Sequence, residues 1–201
     1  MRHFLIGESL RFGWHKTRAH SRVLFQAMLI LFAVQVASSI VEKVLADTVQ
    51  GTLALIALGV VGIVLGTGFT LITLKLAKGE HASLKDLLPR ARLVWHYFCV
   101  SVVAGVIIVG GLILLIIPGI YFLLRFSMAR FAVLEGADII ESLKKSSRLT
   151  RGVKWPLLGF LLVLLALNIA GALLFMVGLL ITIPVTTLAY AHVYLKLKSR
   201  A

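Results

Sequence analysis

Cysteine is almost absent from this chain. Cys99 stands alone in 201 residues, so neither an intrachain disulfide nor a cysteine metal cluster can form. Acids are nearly as scarce, with 8 Asp and Glu against 21 Lys and Arg. Charged residues of both signs make up 14% of the chain, where a soluble domain carries about a quarter. The recurring signatures of catalysis are missing too. There is no HExxH, no Walker A or GxGxxG loop, no carboxylate pair within one apolar segment, and no Ser/His/Asp constellation. The six histidines are scattered at positions 3, 15, 20, 81, 96 and 192, and His96 and His192 sit near helix ends. These absences argue against a soluble globular domain and against an enzyme, and no cofactor or metal is expected.

What fills the space is apolar. Hydrophobic residues make up 60% of the chain, and mean hydropathy is +1.01. A soluble core of this size could not hide that much apolar surface, whereas a bilayer accepts about 20 apolar residues per spanning helix. Four apolar blocks stand between basic segments: Val23 to Leu45, Gly51 to Leu74, Tyr97 to Leu134 and Trp155 to Leu195. The last two are 38 and 41 residues long. At a helical rise of about 1.5 Å per residue, each is two membrane thicknesses long and reads as a hairpin. The expected fold is all-α: an integral membrane bundle of about six transmembrane helices, with short cytoplasmic amphipathic helices, as a single domain over residues 1–201. The first 22 residues carry Arg2, Arg11, Lys16, Arg18 and Arg22 without a continuous apolar core, so no cleavable signal peptide is expected.

Charge placement supports six spans with both termini cytoplasmic. On that topology 20 of the 21 Lys and Arg fall on the inner side or on inward helix halves, the bias that the positive-inside rule describes. The exception is Lys43, near Glu42 and Asp47. A five-span alternative would export a basic loop. The implied location is a membrane whose cytoplasmic face carries both termini and the basic loops. With a net charge of +13 confined to loops, anionic lipid is the expected partner rather than nucleic acid.

Two turn positions compete in the third block, Gly110-Gly111 and Pro118-Gly119, and Gly178 stands before Pro184 in the fourth. The preferred reading has glycine mark each turn and proline kink the first third of the following helix. Three basic segments also look alike: Glu8-Ser9-Leu10-Arg11 before Trp14, Ala82-Ser83-Leu84-Lys85 before Trp95, and Glu141-Ser142-Leu143-Lys144 before Trp155. Each precedes a hairpin, which suggests three units, 1–80, 81–135 and 136–201. The plainer alternative is that any cytoplasmic loop is basic and ends in an interfacial Trp.

The stretch 141–155 holds five cations, Lys144, Lys145, Arg148, Arg151 and Lys154, ending on Trp155. Ile139, Ile140, Leu143 and Ser147 recur at helical spacing, and Glu141 to Lys145 is an i, i+4 pair. This reads as an amphipathic helix in the headgroup plane, with Arg130 nearby, either binding anionic lipid or merely setting topology. Arg125 is the charge deepest in an apolar run. It must snorkel, pair with a phenol or carbonyl, or line a path for an anion. Gly59, Gly62 and Gly66 form a small-residue stripe for packing within the chain or for a homodimer. Asn168, Thr182, Thr186 and Thr187 either line a polar path or bond carbonyls freed at Pro184.

"IPGIYFLLR" (Ile117 to Arg125), "VLEG", and the run Glu141 to Gly152 before Trp155 resemble the membrane-domain family attached to some glycerophosphoryl diester phosphodiesterases, and the YciC-like bacterial inner-membrane proteins. The likeness is tightest over residues 105–160. Members usually carry Trp where this chain has Ser147. The resemblance implies a multi-pass bacterial membrane protein. It does not import the phosphodiesterase reaction, which belongs to a separate soluble barrel. The leading expectation is a non-enzymatic protein that binds or organises anionic lipid or seats a partner; the alternative is a small-solute transporter or channel with Arg125 in its path.

Overall fold

The computed structural model describes residues 6–45, 48–174 and 178–200; Arg2, His3 and Asp47, used in the reading above, lie outside them. Nine α-helices follow one another among the described residues: α1 Ile6–Ala19, α2 Ser21–Leu45, α3 Val49–Lys78, α4 Ala91–Leu114, α5 Ile116–Phe126, α6 Ala129–Leu134, α7 Ile139–Leu149, α8 Lys154–Leu173 and α9 Leu179–Lys198. A single 3-10 turn, Leu84–Leu87, lies between α3 and α4. Among the described residues, six segments are long and apolar enough to cross a membrane: α2, α3, α4, the joined α5–α6 segment Ile116–Leu134, α8 and α9. The chain is an all-α, multi-pass membrane protein.

Large apolar side chains cover its outer flanks. Ile113, Leu114 and Ile117 at the far hairpin are about four-fifths exposed, which only a hydrocarbon solvent tolerates on this scale. The core gathers instead around α9, where Leu188, Ala189, Ala191, Val193 and Tyr194 are fully buried. This helix packs against α1, α2, α3 and α8. The contact with α1 is close: a Cβ on Gly13 would collide with the Val185 carbonyl, and Phe12 stacks on His192 at 4.1 Å.

The third-block turn differs from both sequence alternatives, whereas Gly178 lies at the α8–α9 turn as expected. In the third block the chain reverses at Leu115, which is extended (φ −165°) and ends α4 while capping α5. Gly111 lies inside α4 and Gly119 inside α5, and a Cβ on Gly111 would sit 3.0 Å from the Gly119 Cα. The pair therefore lets the two arms touch rather than making the turn. Pro118 occupies the first turn of α5, where no backbone donor is needed, so it does not kink the helix. Gly178 likewise caps α9 and faces Gly171 of α8. Pro184 is interior to α9, six residues in, and Thr186 and Thr187 donate to the Ile183 carbonyl beside it.

The small-residue stripe of α3 also differs. A Cβ on Gly59, Gly62 or Gly66 would meet nothing within 4 Å, so these glycines are not a packing face within the chain. Close packing falls on Gly68, whose added Cβ would strike the Leu87 backbone. Of the three look-alike segments, the first and third form helices whose serines, Ser9 and Ser142, are fully buried. In the second, Ser83 caps the 3-10 turn, joined to Asp86 by a capping box.

Replacing Gly111 or Gly119 with Leu should cost about 1–3 kcal/mol of stability by overpacking the arms, whereas Gly62→Leu should cost well under 1 kcal/mol. Unfolding in mixed micelles titrated with dodecyl sulfate, followed by tryptophan fluorescence, measures both. Equal losses at Gly111 and Gly62 would refute the close approach.

Candidate anion-binding site

The site begins with a broken span. α5 ends at Phe126 and α6 starts at Ala129, so the helix ladder is interrupted at Ser127-Met128. Backbone groups freed at membrane depth need internal partners, and α7 supplies them. The Ser146 hydroxyl donates to the Arg125 carbonyl at 2.7 Å and accepts from the Met128 N–H at 3.1 Å. The Thr150 hydroxyl lies 3.4 Å from the same carbonyl, and the Tyr190 phenol donates to the Ser127 carbonyl at 2.9 Å.

These contacts orient α7. Its buried stripe is Ser142, Ser146, Leu149 and Thr150. The stripe read from the sequence, Ile139, Ile140, Leu143 and Ser147, lies to one side of it, and Ile140 is 68% exposed. The rotation follows from chemistry: two hydroxyls bonded to a broken backbone hold α7 more strongly than one isoleucine in a surface already rich in lipid contact.

Turning α7 this way opens a groove between its outer face and the end of α5. The cavity is about 450 Å³ and is lined by Arg125, Phe126, Ile140, Leu143, Lys144, Ser147 and Arg148. Arg125 is held there, with Nε donating to the Ser147 hydroxyl at 2.8 Å and the guanidinium over Phe126 at 5.6 Å. Three cations thus meet an apolar floor, and no carboxylate lines the space.

The other expected cations scatter. Lys145 pairs with Glu135 at 3.3 Å instead of Glu141. The Lys154 ammonium sits over the Tyr121 ring at 3.6 Å. Arg151 and Trp155 are exposed outside the groove, and Arg130 projects to a different part of the bundle, against Tyr97 and Tyr190.

Sequence reasoning passed over Glu135, which ties the basic end together. Gly136, with φ 94°, turns the chain immediately after α6 and leaves the Glu135 side chain only 7% exposed beneath α7. Its Oε1 is 2.9 Å from Lys78 Nζ of α3. Its Oε2 meets Lys198 Nζ of α9 at 2.8 Å and Lys145 Nζ of α7 at 3.3 Å, and accepts from the Tyr194 phenol at 2.6 Å. Burial alone would raise this carboxyl, but donation from Lys198, Tyr194 and Lys78 outweighs it and lowers the pKa to about 2. Parallel ties are Glu8 to Lys196 at 2.5 Å, Asp86 to Lys75 at 2.6 Å and Asp138 to His96 at 3.6 Å. The first and third join segments far apart in sequence, and the second folds the loop after α3 back on that helix, so the basic segments gather at one end of the bundle.

The family model described as Domain of unknown function (DUF7847) matches residues 94–197. That is more than half of the 201 residues, and the chain belongs to this family. The matched segment contains the broken span, α7, Arg125 and Glu135. No curated protein and no solved structure matches the chain. The finer likeness to phosphodiesterase membrane domains and YciC-like proteins has no support among these matches.

Because the folded pKa of Glu135 lies below its ordinary 4.5, the stability it contributes is complete above pH 4.5 and is lost as pH falls toward 2. At neutral pH that contribution is on the order of 3 kcal/mol. Glu135→Gln should remove most of it and flatten the acid limb of stability against pH in micelle unfolding. An unchanged acid limb would assign the loss to other carboxylates.

Proposed function

We propose that this member of the DUF7847 family is a non-enzymatic protein of a bacterial cytoplasmic membrane that holds anionic phospholipid headgroups at the α5–α7 groove. The observation that carries the proposal is the groove itself: Arg125, Lys144 and Arg148 converge over Phe126, Ile140 and Leu143 without an acid. A phosphate can meet the cations while the upper acyl chain lies on the apolar floor, and each cation beside an anionic lipid contributes about 1 kcal/mol. The guanidinium of Arg125 is already oriented by Ser147, so little side-chain freedom remains to be lost on binding.

The positive-inside rule supports reading both termini as cytoplasmic, with the shared basic end toward the anionic cytoplasmic leaflet. Trp14, Trp95 and Trp155 are 51%, 64% and 83% exposed, as befits indoles at a headgroup boundary. The sequence likeness to membrane domains attached to phosphodiesterases is consistent with a part that seats in lipid while chemistry happens elsewhere. A transport path through Arg125 draws no support from this geometry, because the groove is walled by α5 and α7 alone.

Native mass spectrometry with competing lipids tests the proposal. Phosphatidylglycerol or cardiolipin should be retained over phosphatidylcholine, and each of Arg125→Gln, Lys144→Gln and Arg148→Gln should lower that preference about fivefold, the factor corresponding to about 1 kcal/mol. Equal retention of charged and neutral lipid by the wild-type protein would end the proposal.

A further inference from the structure

Arg130, five residues before the Glu135 tie, is the cation whose surroundings the lipid groove does not explain. Among the described residues it forms no ion pair; Glu135 is engaged by three lysines, Asp86 by Lys75 and Asp138 by His96. It lies in the last part of the fourth span, partly open to the surface and hydrogen-bonded to Tyr97, where an arginine charge without an anion is still expensive. Its side chain stands between two cavities. One, of about 270 Å³, is lined by Arg130 with Thr70, Tyr97, Asn168, Thr186 and Tyr190. The other, of about 380 Å³, runs from Arg130 along Val100, Ala104 and Ile108 of α4 and Leu123 of α5. Leu161 of α8 borders both, and only Phe126 is shared with the lipid groove.

The two spaces differ in chemistry. The smaller is a hydroxyl and amide chamber: Tyr97 and Thr70 lie 3.4 Å apart, and Asn168 donates to Thr186 at 3.4 Å. The Asn168 Oδ1 is buried with no partner, so it requires a donor such as water or a ligand hydroxyl. The larger has Ser101, Ser127 and Tyr190 near Arg130 and is apolar beyond them, along Ala104, Ile108 and Leu123, and it extends eight residues of α4, about 12 Å at the helical rise, toward the α4–α5 turn. A cation placed where a polar chamber meets an apolar slot matches one ligand shape.

We propose that the bundle binds a single-chain amphiphilic carboxylate, a fatty acid, with its carboxylate on Arg130 and its chain in the slot between α4 and α5. The planar guanidinium suits a carboxylate, and water in the hydroxyl chamber hydrates the head. This site stands independently of the lipid groove, since Arg125, Lys144 and Arg148 line neither of its cavities.

Carboxyl-labelled 13C-palmitate, added to the full chain in phosphatidylcholine nanodiscs, tests it. Bound palmitate should give a distinct ionised carboxylate resonance that persists below the pH at which membrane-dissolved palmitate protonates. Native mass spectrometry should show one retained palmitate. Arg130→Gln should reduce retention about tenfold or more, the factor of a charge-assisted hydrogen bond. Leu161→Trp, which keeps the arginine and fills both cavities, should reduce it similarly, while the triple variant Arg125→Gln/Lys144→Gln/Arg148→Gln should retain palmitate. Hexadecanol retained as well as palmitate, or palmitate retained equally by Arg130→Gln, would overturn the proposal. Butyrate displacing palmitate mole for mole would overturn the chain slot, and lysophosphatidylglycerol outcompeting palmitate would overturn the carboxylate.

Discussion

The basic end of this bundle rests on one carboxylate. Lysines from α3, α7 and α9 would repel one another at the spacing the fold imposes, and Glu135 turns that repulsion into a tie with its two oxygens and the Tyr194 phenol. The arrangement has little redundancy, because only 8 acids serve 21 cations in the whole chain. Removing a buried charge from such a cluster leaves several like charges facing each other, which costs more than an exposed ion pair ever contributes.

The break at Ser127-Met128 depends on the same tie. Glu135 holds Lys145 of α7, and one residue further along α7 the Ser146 hydroxyl bridges the Arg125 carbonyl and the Met128 N–H. A charge at the surface and a hydroxyl bridge beneath it therefore fix α7 at two successive residues. With α7 fixed, its outer cations are aimed rather than free, and Arg125 is presented at the flank of α5 instead of being lost in lipid.

The number of spans was legible in the sequence because it depends on lengths of apolar chain, and 38 and 41 residues divide into two crossings each. The clustering of cations at one end was legible for the same reason, since loops at alternate ends follow from the span count. The face of α7 was not. Hydropathy treats Ser146 and Thr150 as solvent-facing, and nothing local announces a broken helix 20 residues upstream for them to bond. The Lys145 partner was misassigned because Glu141, one turn away, is visible in sequence, whereas Glu135 reaches it only through the turn at Gly136. Glycines misled in a related way: spacing singled out Gly59, Gly62 and Gly66, but close approach is decided by what stands opposite, and Gly13, Gly68 and the Gly111–Gly119 pair have backbone against them. Arg125 and Arg148 were found as cations; their convergence with Lys144 followed from the rotation of α7.

The packing of α1 on α9 carries a consequence for the order of assembly. Phe12, Gly13 and Glu8 find their partners on His192, Val185 and Lys196, at the opposite end of the chain. During synthesis α1 emerges long before α9, the helix that carries its docking surface. Until then α1 lacks its principal protein partner, and its apolar side is left to lie against lipid. Completion of the bundle is thus the event that lifts α1 from the bilayer onto protein, so a chain truncated before α9 would be left with its first helix undocked and its core unfilled.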